Sequence, residues 1–305
     1  MKYENCDEFL LSVEENEEII SKWKELNKNK RKISLVSIII ILIVDIILLY
    51  KVKAFLSIMF IIDIFIYIII QIIFINKDDI NFNKNYKEKV INKMLENFIE
   101  ELDYIPLKGL PHNIYDEARY GGYYNKYYSD DYFEGKINGQ KIVMADLLVE
   151  EEKIVKDKEG NEETETTTVF NGLFGKINLN KSINTNLIIT KDYGFSSFNK
   201  QKLEMDSYEF EKVFNVYADN NIIGMQLLTP DIQEDILALY NKYDIDFHIS
   251  VMHNVMYVLF NTGNMFEVFS TKKNPNKVLE KYFEIMKFVY KLIDKIIVTI
   301  DNTPI

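Results

Sequence analysis

The sequence predicts an α+β protein in which a transmembrane helical hairpin precedes a soluble antiparallel-sheet domain with a closing C-terminal helix. Two long apolar runs, 33–50 and 54–75, predict the hairpin. Short β-branched segments separated by turn residues predict the sheet. A stretch at 276–297, with apolar residues at helical spacing, predicts the closing helix.

The two apolar runs are long enough to cross a bilayer. They contain 18 and 22 residues, which at ~1.5 Å per residue reach ~27 and ~33 Å, close to a hydrocarbon core of ~30 Å. Only Lys51, Val52 and Lys53 separate them, so the two helices must be antiparallel with both chain ends on one side. Lysines cluster on the outer flanks of the hairpin, and the positive-inside rule then predicts a multi-pass cell-membrane protein with cytoplasmic N- and C-termini.

Each predicted span contains one acidic residue, Asp45 in the first and Asp63 in the second. A carboxylate inside a bilayer is costly unless it is paired or protonated. One interpretation is local pairing, either as a neutral, hydrogen-bonded pair or as a carboxylate near the tip with Lys51 or Lys53 reaching toward it. The alternatives are a contact between protomers, or an ion-coupled site in a small transporter or channel subunit. We favour local pairing over transport because a single hairpin cannot enclose a pathway without oligomerising.

Three further regions flank the hairpin. Residues 1–32 predict a cytoplasmic amphipathic helix, with acids in its early turns and lysines in its late turns, as the helix dipole favours. Residues 76–105 predict a connecting helix, because an apolar stripe runs through 84–103. Residues 106–305 predict the cytoplasmic α+β domain.

Within that domain, turn signals divide the chain into elements. A tyrosine-rich segment over 115–132 predicts a long surface loop or, alternatively, a contact surface. Asn138-Gly139 and His253-Asn254 predict two hairpin turns, and Thr229-Pro230 predicts a helix start. The predicted strands are 132–137, 141–152, 164–179, 187–190, 212–217, 246–252, 255–260 and 265–269; the predicted helix is 229–243, and 153–163 is predicted to be an exposed loop.

The composition of the chain excludes some classes of function and of partner. The chain has 36 basic and 47 acidic residues, a net charge of −11, which argues against nucleic acid as a partner. Its single cysteine, Cys6, excludes an intramolecular disulfide. The histidines His112, His248 and His253 are not in a metal-binding spacing. His248, on a predicted strand, and His253, in a predicted turn, are interpreted as structural.

No motif assigns a catalytic, cofactor-binding or metal-binding residue. The sequence contains no glycine-rich phosphate loop, and Gly172 and Gly175 lie in a strand pattern that indicates a bulge or close backbone approach. We therefore expect no cofactor and favour a membrane-tethered binding or scaffold domain. Its partner would be another protein or a second copy of the chain. The alternatives are an enzyme of an unrecognised type and the transporter subunit described above.

Five segments occur in an order that resembles a known bacterial family. They are YFEGKINGQKI (132–142), TTVFNGLFGKINLNKSI (167–183), YEFEKVFNVYAD (208–219), LLTPDIQEDIL (227–237) and FHISVMHNVMYVLF (247–260). Together they resemble the family called domain of unknown function 3137, over roughly residues 80–297. The resemblance implies two membrane helices ahead of the domain and a bacterial inner-membrane setting. It brings no established activity, cofactor or catalytic residue.

Overall fold

The computed structural model describes residues 1–13, 16–51, 65, 67–68, 80–118, 120–156, 162–192, 202–267 and 274–303. The chain divides into two compact units. One, the sheet unit, comprises Met1–Cys6, Asn92–Phe266 and Leu279–Ile305; the other, the helical unit, comprises Asp7–Ile91 and Glu267–Val278.

The helical unit contains a much longer N-terminal helix than the sequence predicts. After the short helix α1 (Cys6–Ser12), α2 runs without a break over Asn16–Lys51. Residues 16–32 of the predicted amphipathic segment and the first apolar run are therefore parts of one 36-residue helix. Residues 80–86 are also helical and continue into a π-helical turn, Lys87–Ile91.

The predicted membrane spans are only partly within the described residues. The first run lies in α2, and the second lies outside the described residues except at 65, 67 and 68. No helix among the described residues combines the length and the apolar character that a membrane crossing requires. The transmembrane hairpin therefore stays a prediction from the sequence.

The sheet unit is built on eight antiparallel strands. Their order across the sheet is β1-β2-β3-β4-β8-β7-β5-β6. The strands are β1 (Glu100–Ile105), β2 (Lys126–Ile137), β3 (Gln140–Lys156), β4 (Glu162–Asn178), β5 (Asn186–Lys191), β6 (Phe214–Ala218), β7 (Phe247–Met252) and β8 (Val255–Phe260). The helices from residue 92 onward are α3 (Asn92–Leu95), α4 (His112–Glu117), α5 (Tyr208–Glu211), α6 (Asn221–Leu227), α7 (Pro230–Tyr243) and α8 (Pro275–Asn302).

Side chains alternate between the two faces of each strand, and other elements pack on both faces of the central strands. Phe247 and Phe260 contact Phe288 of the closing helix α8, with ring centroids 6.1 and 5.7 Å apart. The apolar residues that recur at helical spacing along α8 are buried, among them Leu279, Tyr282, Met286, Val289 and Ile293. On the opposite face, Tyr257 and Leu259 pack into a cluster with the segment that follows β1. The predicted α+β fold with an antiparallel sheet and a C-terminal helix is thus confirmed.

Several predicted boundaries were wrong. The helix predicted over 84–103 ends at Leu95, and Glu100–Ile105 forms β1, which pairs with β2. Leu102 fits both the helical spacing before it and an alternation with Tyr104 in a strand, so the stripe alone could not show where the helix ends. The loop predicted over 153–163 is shorter, because β3 and β4 stay paired to Lys156↔Glu162. Met265 and Phe266 do not form a strand.

Candidate functional site

The tyrosine-rich segment covers one face of the sheet. It leaves β1, forms the short helix α4 and then enters β2, so Tyr127, Tyr128 and Tyr132 belong to a strand and not to a loop. Leu110, Tyr115 and Ala118 are buried against β3, β4 and β8. The segment is therefore part of the fold, which corrects its interpretation as a surface loop over 115–132.

Tyr115 lies at the centre of an aromatic cluster. Its ring centroid is 5.7 Å from those of Tyr124 and Phe174, and 6.2 Å from those of Tyr127 and Phe170. Most of these pairs are tilted or edge-to-face, the arrangements that the ring quadrupoles favour. Tyr115 is 3% exposed, and no hydrogen-bond partner for its hydroxyl is found among the described residues.

Polar side chains form the rim of this cluster. Tyr124 Oη donates to Asp116 Oδ1 at 2.7 Å, and His112 Nδ1 lies 3.2 Å from Asp116 Oδ2. Tyr127 Oη donates to the carbonyl oxygen of Leu110 at 3.0 Å. We call the surface formed by His112, Asp116, Tyr123, Tyr124 and Tyr127 the tyrosine patch.

A second carboxylate is fixed beside the patch. Lys176 Nζ donates to Glu117 Oε2 at 2.6 Å, and Tyr257 Oη donates to the same oxygen at 2.8 Å. These hydrogen bonds, the one from Lys176 first, lower the pKa of Glu117. Glu117 therefore stays ionised at neutral pH, and its charge is partly balanced by Lys176.

The tyrosines are held in their neutral form. Burial raises the pKa of Tyr127 to about 12. Burial and the hydrogen bond to Asp116 raise the pKa of Tyr124 to about 12. Burial also raises the pKa of Tyr115. A tyrosinate nucleophile or base is therefore not available here near neutral pH, and the patch is suited to recognition by ring faces, hydroxyls and carboxylates.

Neither sequence-predicted intramembrane acid forms part of this site. Asp45 lies on α2, and its side chain is outside the described part of the structure. Asp63 lies outside the described residues altogether. Pairing between these two acids, or with Lys51 and Lys53, stays a prediction.

The histidines lie in three different settings. His248 is buried on β7, 5.1 Å from the Tyr120 ring, and burial lowers its pKa to about 3. His253 occupies the β7–β8 turn with φ of +55°, and His112 lies on the patch rim. The structural interpretation agrees with the positions of His248 and His253.

Sequence reasoning singled out the tyrosines but missed their polar partners. Asp116, Glu117 and Lys176 are ordinary charged residues in the sequence, and Lys176 is 59 positions from Glu117. Lys176 reaches Glu117, beside the patch, only because β4 takes its place in the sheet next to β8. The density of tyrosine was the one local signal for this surface.

Comparisons with known proteins give a family match and a distant structural neighbour. No curated protein matches the chain. The crystal structure of the mycobacterial trehalose monomycolate transport factor A, TtfA, matches with a TM-score of 0.37 at 8% identity, over 70% of this chain and 94% of that chain. That similarity is too low to carry an argument about fold or function. Residues 168–297 match the model described as protein of unknown function DUF3137, which supports the resemblance over the second half of the sheet unit.

Proposed function

We propose that this chain is a membrane-tethered protein whose sheet unit binds a protein partner through the tyrosine patch. The patch itself is the observation that carries the proposal. Tyr123 is 68% exposed, and it directly precedes Tyr124, whose ring packs against Tyr115 and whose hydroxyl is bonded to Asp116. Exposed tyrosines on a rigid base are typical of protein interfaces, because they supply large contact areas at low cost in conformational entropy.

The surface of α2 supports tethering to a membrane. Leu35, Val36, Ile38, Ile39, Ile40 and Ile43 are all 45% exposed or more. Contiguous apolar surface of this kind is unfavourable in water and normally marks an interaction with lipid or protein. Moving six such side chains out of water is worth on the order of 10 kcal/mol. Beyond Ile43 the sequence is apolar to Tyr50 except for Asp45, which favours lipid as the environment.

A contact between two helical segments supports the hairpin. Ser34 Oγ, near the start of the first apolar run, lies 3.2 Å from Tyr67 Oη, near the end of the second. An antiparallel pair that turns near Val52 would bring these positions together. Ser37, one turn beyond Ser34, is buried, and small residues of this type let membrane helices approach closely.

The binding proposal is tested with a matched pair of tyrosine variants. Tyr123 and Tyr128 are both exposed, at 68% and 53%. Side chains alternate along β2, so Tyr128 points away from the face on which Tyr127 packs. We expect Tyr123→Ser to reduce recovery of a partner about tenfold, because truncating an interface tyrosine commonly costs 1–2 kcal/mol, that is, about a factor of ten. Tyr128→Ser should leave recovery unchanged.

The measurement is quantitative mass spectrometry after affinity capture of the tagged, detergent-solubilised full chain from membranes of the source organism. A protein that is enriched with the wild type and with Tyr128→Ser, but not with Tyr123→Ser, supports the proposal. Equal recovery with both variants, or no protein above background with the wild type, contradicts it.

A further inference from the structure

Strands β3 and β4 extend beyond the rest of the sheet. The pairing of β2 with β3 stops at Lys126↔Glu150, and β8 pairs with β4 only over Leu173–Asn178. Beyond these limits, β3 and β4 pair with each other alone, from Glu151↔Thr167 to Lys156↔Glu162. We call residues 150–156 and 162–168 the β-arm. A two-stranded ribbon of this kind is only marginally stable in water by itself.

Hydrogen bonds at the base of the β-arm fix which backbone groups face outward. The Asn125 side chain accepts from the Glu152 backbone N–H and donates to the Glu152 carbonyl oxygen, both at 2.8 Å. Both backbone groups of Glu152 therefore point away from β4. In an antiparallel ladder, directly opposed residues point their backbone groups the same way, either both toward each other or both away. Thr166, which opposes Glu152, thus points its N–H and carbonyl away from β3.

The same alternation applies along the outer edge of β4. Thr164 and Thr168, two residues on either side of Thr166, also direct their backbone groups outward. All three threonines are exposed. No other strand in the described part of the chain pairs with this stretch of β4. The edge therefore presents a row of unpaired donors and acceptors flanked by β-branched side chains, the arrangement that accepts an added strand.

The charge of the β-arm indicates the chemistry of that strand. The arm carries six glutamates and two lysines. One lysine of the arm, Lys153, is paired with Glu151 at 2.7 Å. With six acids against two bases the arm has a net charge of −4, so a second copy of the same arm would bring two like-charged ribbons together, which is unfavourable. A strand with lysine or arginine would instead gain favourable cross-strand pairs.

We propose that the outer edge of β4 in the β-arm binds an extended, basic segment of a partner protein by strand addition. This surface is distinct from the tyrosine patch, so the two proposals can fail separately. Ile154 on β3 is 72% exposed and directly opposes Thr164 of β4. Alternate side chains of an added strand would lie on the same face of the ribbon as Ile154.

Thr166→Pro tests the backbone contact directly. Proline removes one outward N–H, but no bond to β3 is lost because that N–H does not point to β3. Proline is tolerated at such edge positions. Thr166→Ala is the matched control, since it removes the same side chain and keeps the N–H.

The probe is a fluorescent octapeptide that alternates lysine with valine or threonine, titrated into the detergent-solubilised full chain and read by anisotropy. We expect saturable binding to the wild type and to Thr166→Ala, and about tenfold weaker binding to Thr166→Pro, as loss of a hydrogen bond and a steric clash would give. A peptide with glutamate in place of lysine should not bind. Two further lysine peptides are N-methylated, one at its odd positions and one at its even positions, so that each lacks the N–H groups along one side of the extended chain. The peptide whose missing N–H groups are those that face β4 should bind about tenfold more weakly.

Three results would overturn the proposal. The first is no binding of the lysine peptide to the wild type. The second is equal binding of the plain lysine peptide and of the two lysine peptides N-methylated at the odd and at the even positions, respectively. That result would show ionic attraction without strand addition, and it does not depend on how Thr166→Pro folds. The third is a self-associated wild type that Thr166→Pro converts to monomer, which would assign the edge to a second copy of this chain. Binding of the lysine peptide should be unaffected by Tyr123→Ser.

Discussion

His248 shows how the packing of the sheet controls a single titratable group. It lies on β7, fully enclosed, with the Tyr120 ring 5.1 Å away in an edge-to-face arrangement. Burial lowers its pKa to about 3, compared with about 6.5 in an unfolded chain. The folded protein therefore holds His248 neutral at any pH above about 3.

This depressed pKa predicts a loss of stability on mild acidification. Below about pH 6.5 the unfolded chain binds a proton at His248 that the folded chain does not bind, so the free energy of unfolding falls as the pH is lowered toward 3. At pH 5 the loss from this group is about 2 kcal/mol. We expect His248→Gln to lose about 2 kcal/mol less than the wild type between pH 7 and pH 5.

Urea unfolding of the detergent-solubilised chain, followed by far-ultraviolet circular dichroism at both pH values, measures this difference. Ser250→Ala is the control: Ser250 is buried on the same strand and donates to the Ala118 carbonyl at 3.2 Å, but it does not titrate. It should lower stability equally at the two pH values. An identical pH dependence in the wild type and His248→Gln would show that His248 is protonated in the folded state.

At the scale of secondary structure, the elements with strong local signals were predicted and those set by distant contacts were not. The turn at Asn138-Gly139 has φ of +48° and +73°, which few other residue pairs adopt easily, and its hairpin was predicted correctly. Helix α7 begins at Pro230, as Thr229-Pro230 indicates. Strand β1 was missed because its pairing partner lies some 30 residues away.

The functional surfaces were less predictable for the same reason. The tyrosine patch depends on the approach of α4 to β4 and β8, and the open edge of the β-arm depends on where β2 and β8 stop pairing. Local sequence carries composition, such as tyrosines or glutamates, but not the end of a neighbouring strand. The acidic stretch 153–163, which includes the outer part of the β-arm, was therefore predicted to be a loop.

Gly172 marks the point where β4 meets the end of β8, and it supports a second stability prediction. Its φ is +151°, and a Cβ atom there would lie 2.1 Å from the Phe260 carbonyl oxygen and 2.6 Å from the Thr262 nitrogen. The close backbone approach predicted for this glycine is thus confirmed. We expect Gly172→Ala to destabilise the sheet unit by about 3 kcal/mol or more, because backbone atoms would have to move.

Gly139→Ala is the matched control for this element. Gly139 also has a positive φ, +73°, but a Cβ atom there would meet nothing within 4 Å. Only the conformational strain of about 1–2 kcal/mol should appear. If chemical unfolding gives equal losses for the two variants, the approach of β8 to Gly172 contributes no constraint of its own.

For the whole molecule, charge is distributed unevenly along the chain. The chain carries a net charge of −11, yet Lys22, Lys24, Lys28, Lys30, Arg31 and Lys32 cluster on α2 just before its exposed apolar residues. Clusters of this kind next to a membrane helix are attracted to anionic lipid on the cytoplasmic leaflet. Under the proposed tether, this cluster would strengthen the attachment of α2 to the membrane.

The proposed tether predicts a specific accessibility pattern. Cys6 is the only cysteine and is buried, so Cys6→Ser gives a background in which a single new cysteine reports its own location. We expect a cysteine at Val52, the hairpin tip, to react with a membrane-impermeant maleimide added to spheroplasts. A cysteine at Asn29, which is exposed on α2 within the basic cluster, should react only after permeabilisation. Labelling of both positions only after permeabilisation would place the tip inside the cell and contradict the hairpin, and labelling of Asn29→Cys alone in intact spheroplasts would reverse its orientation.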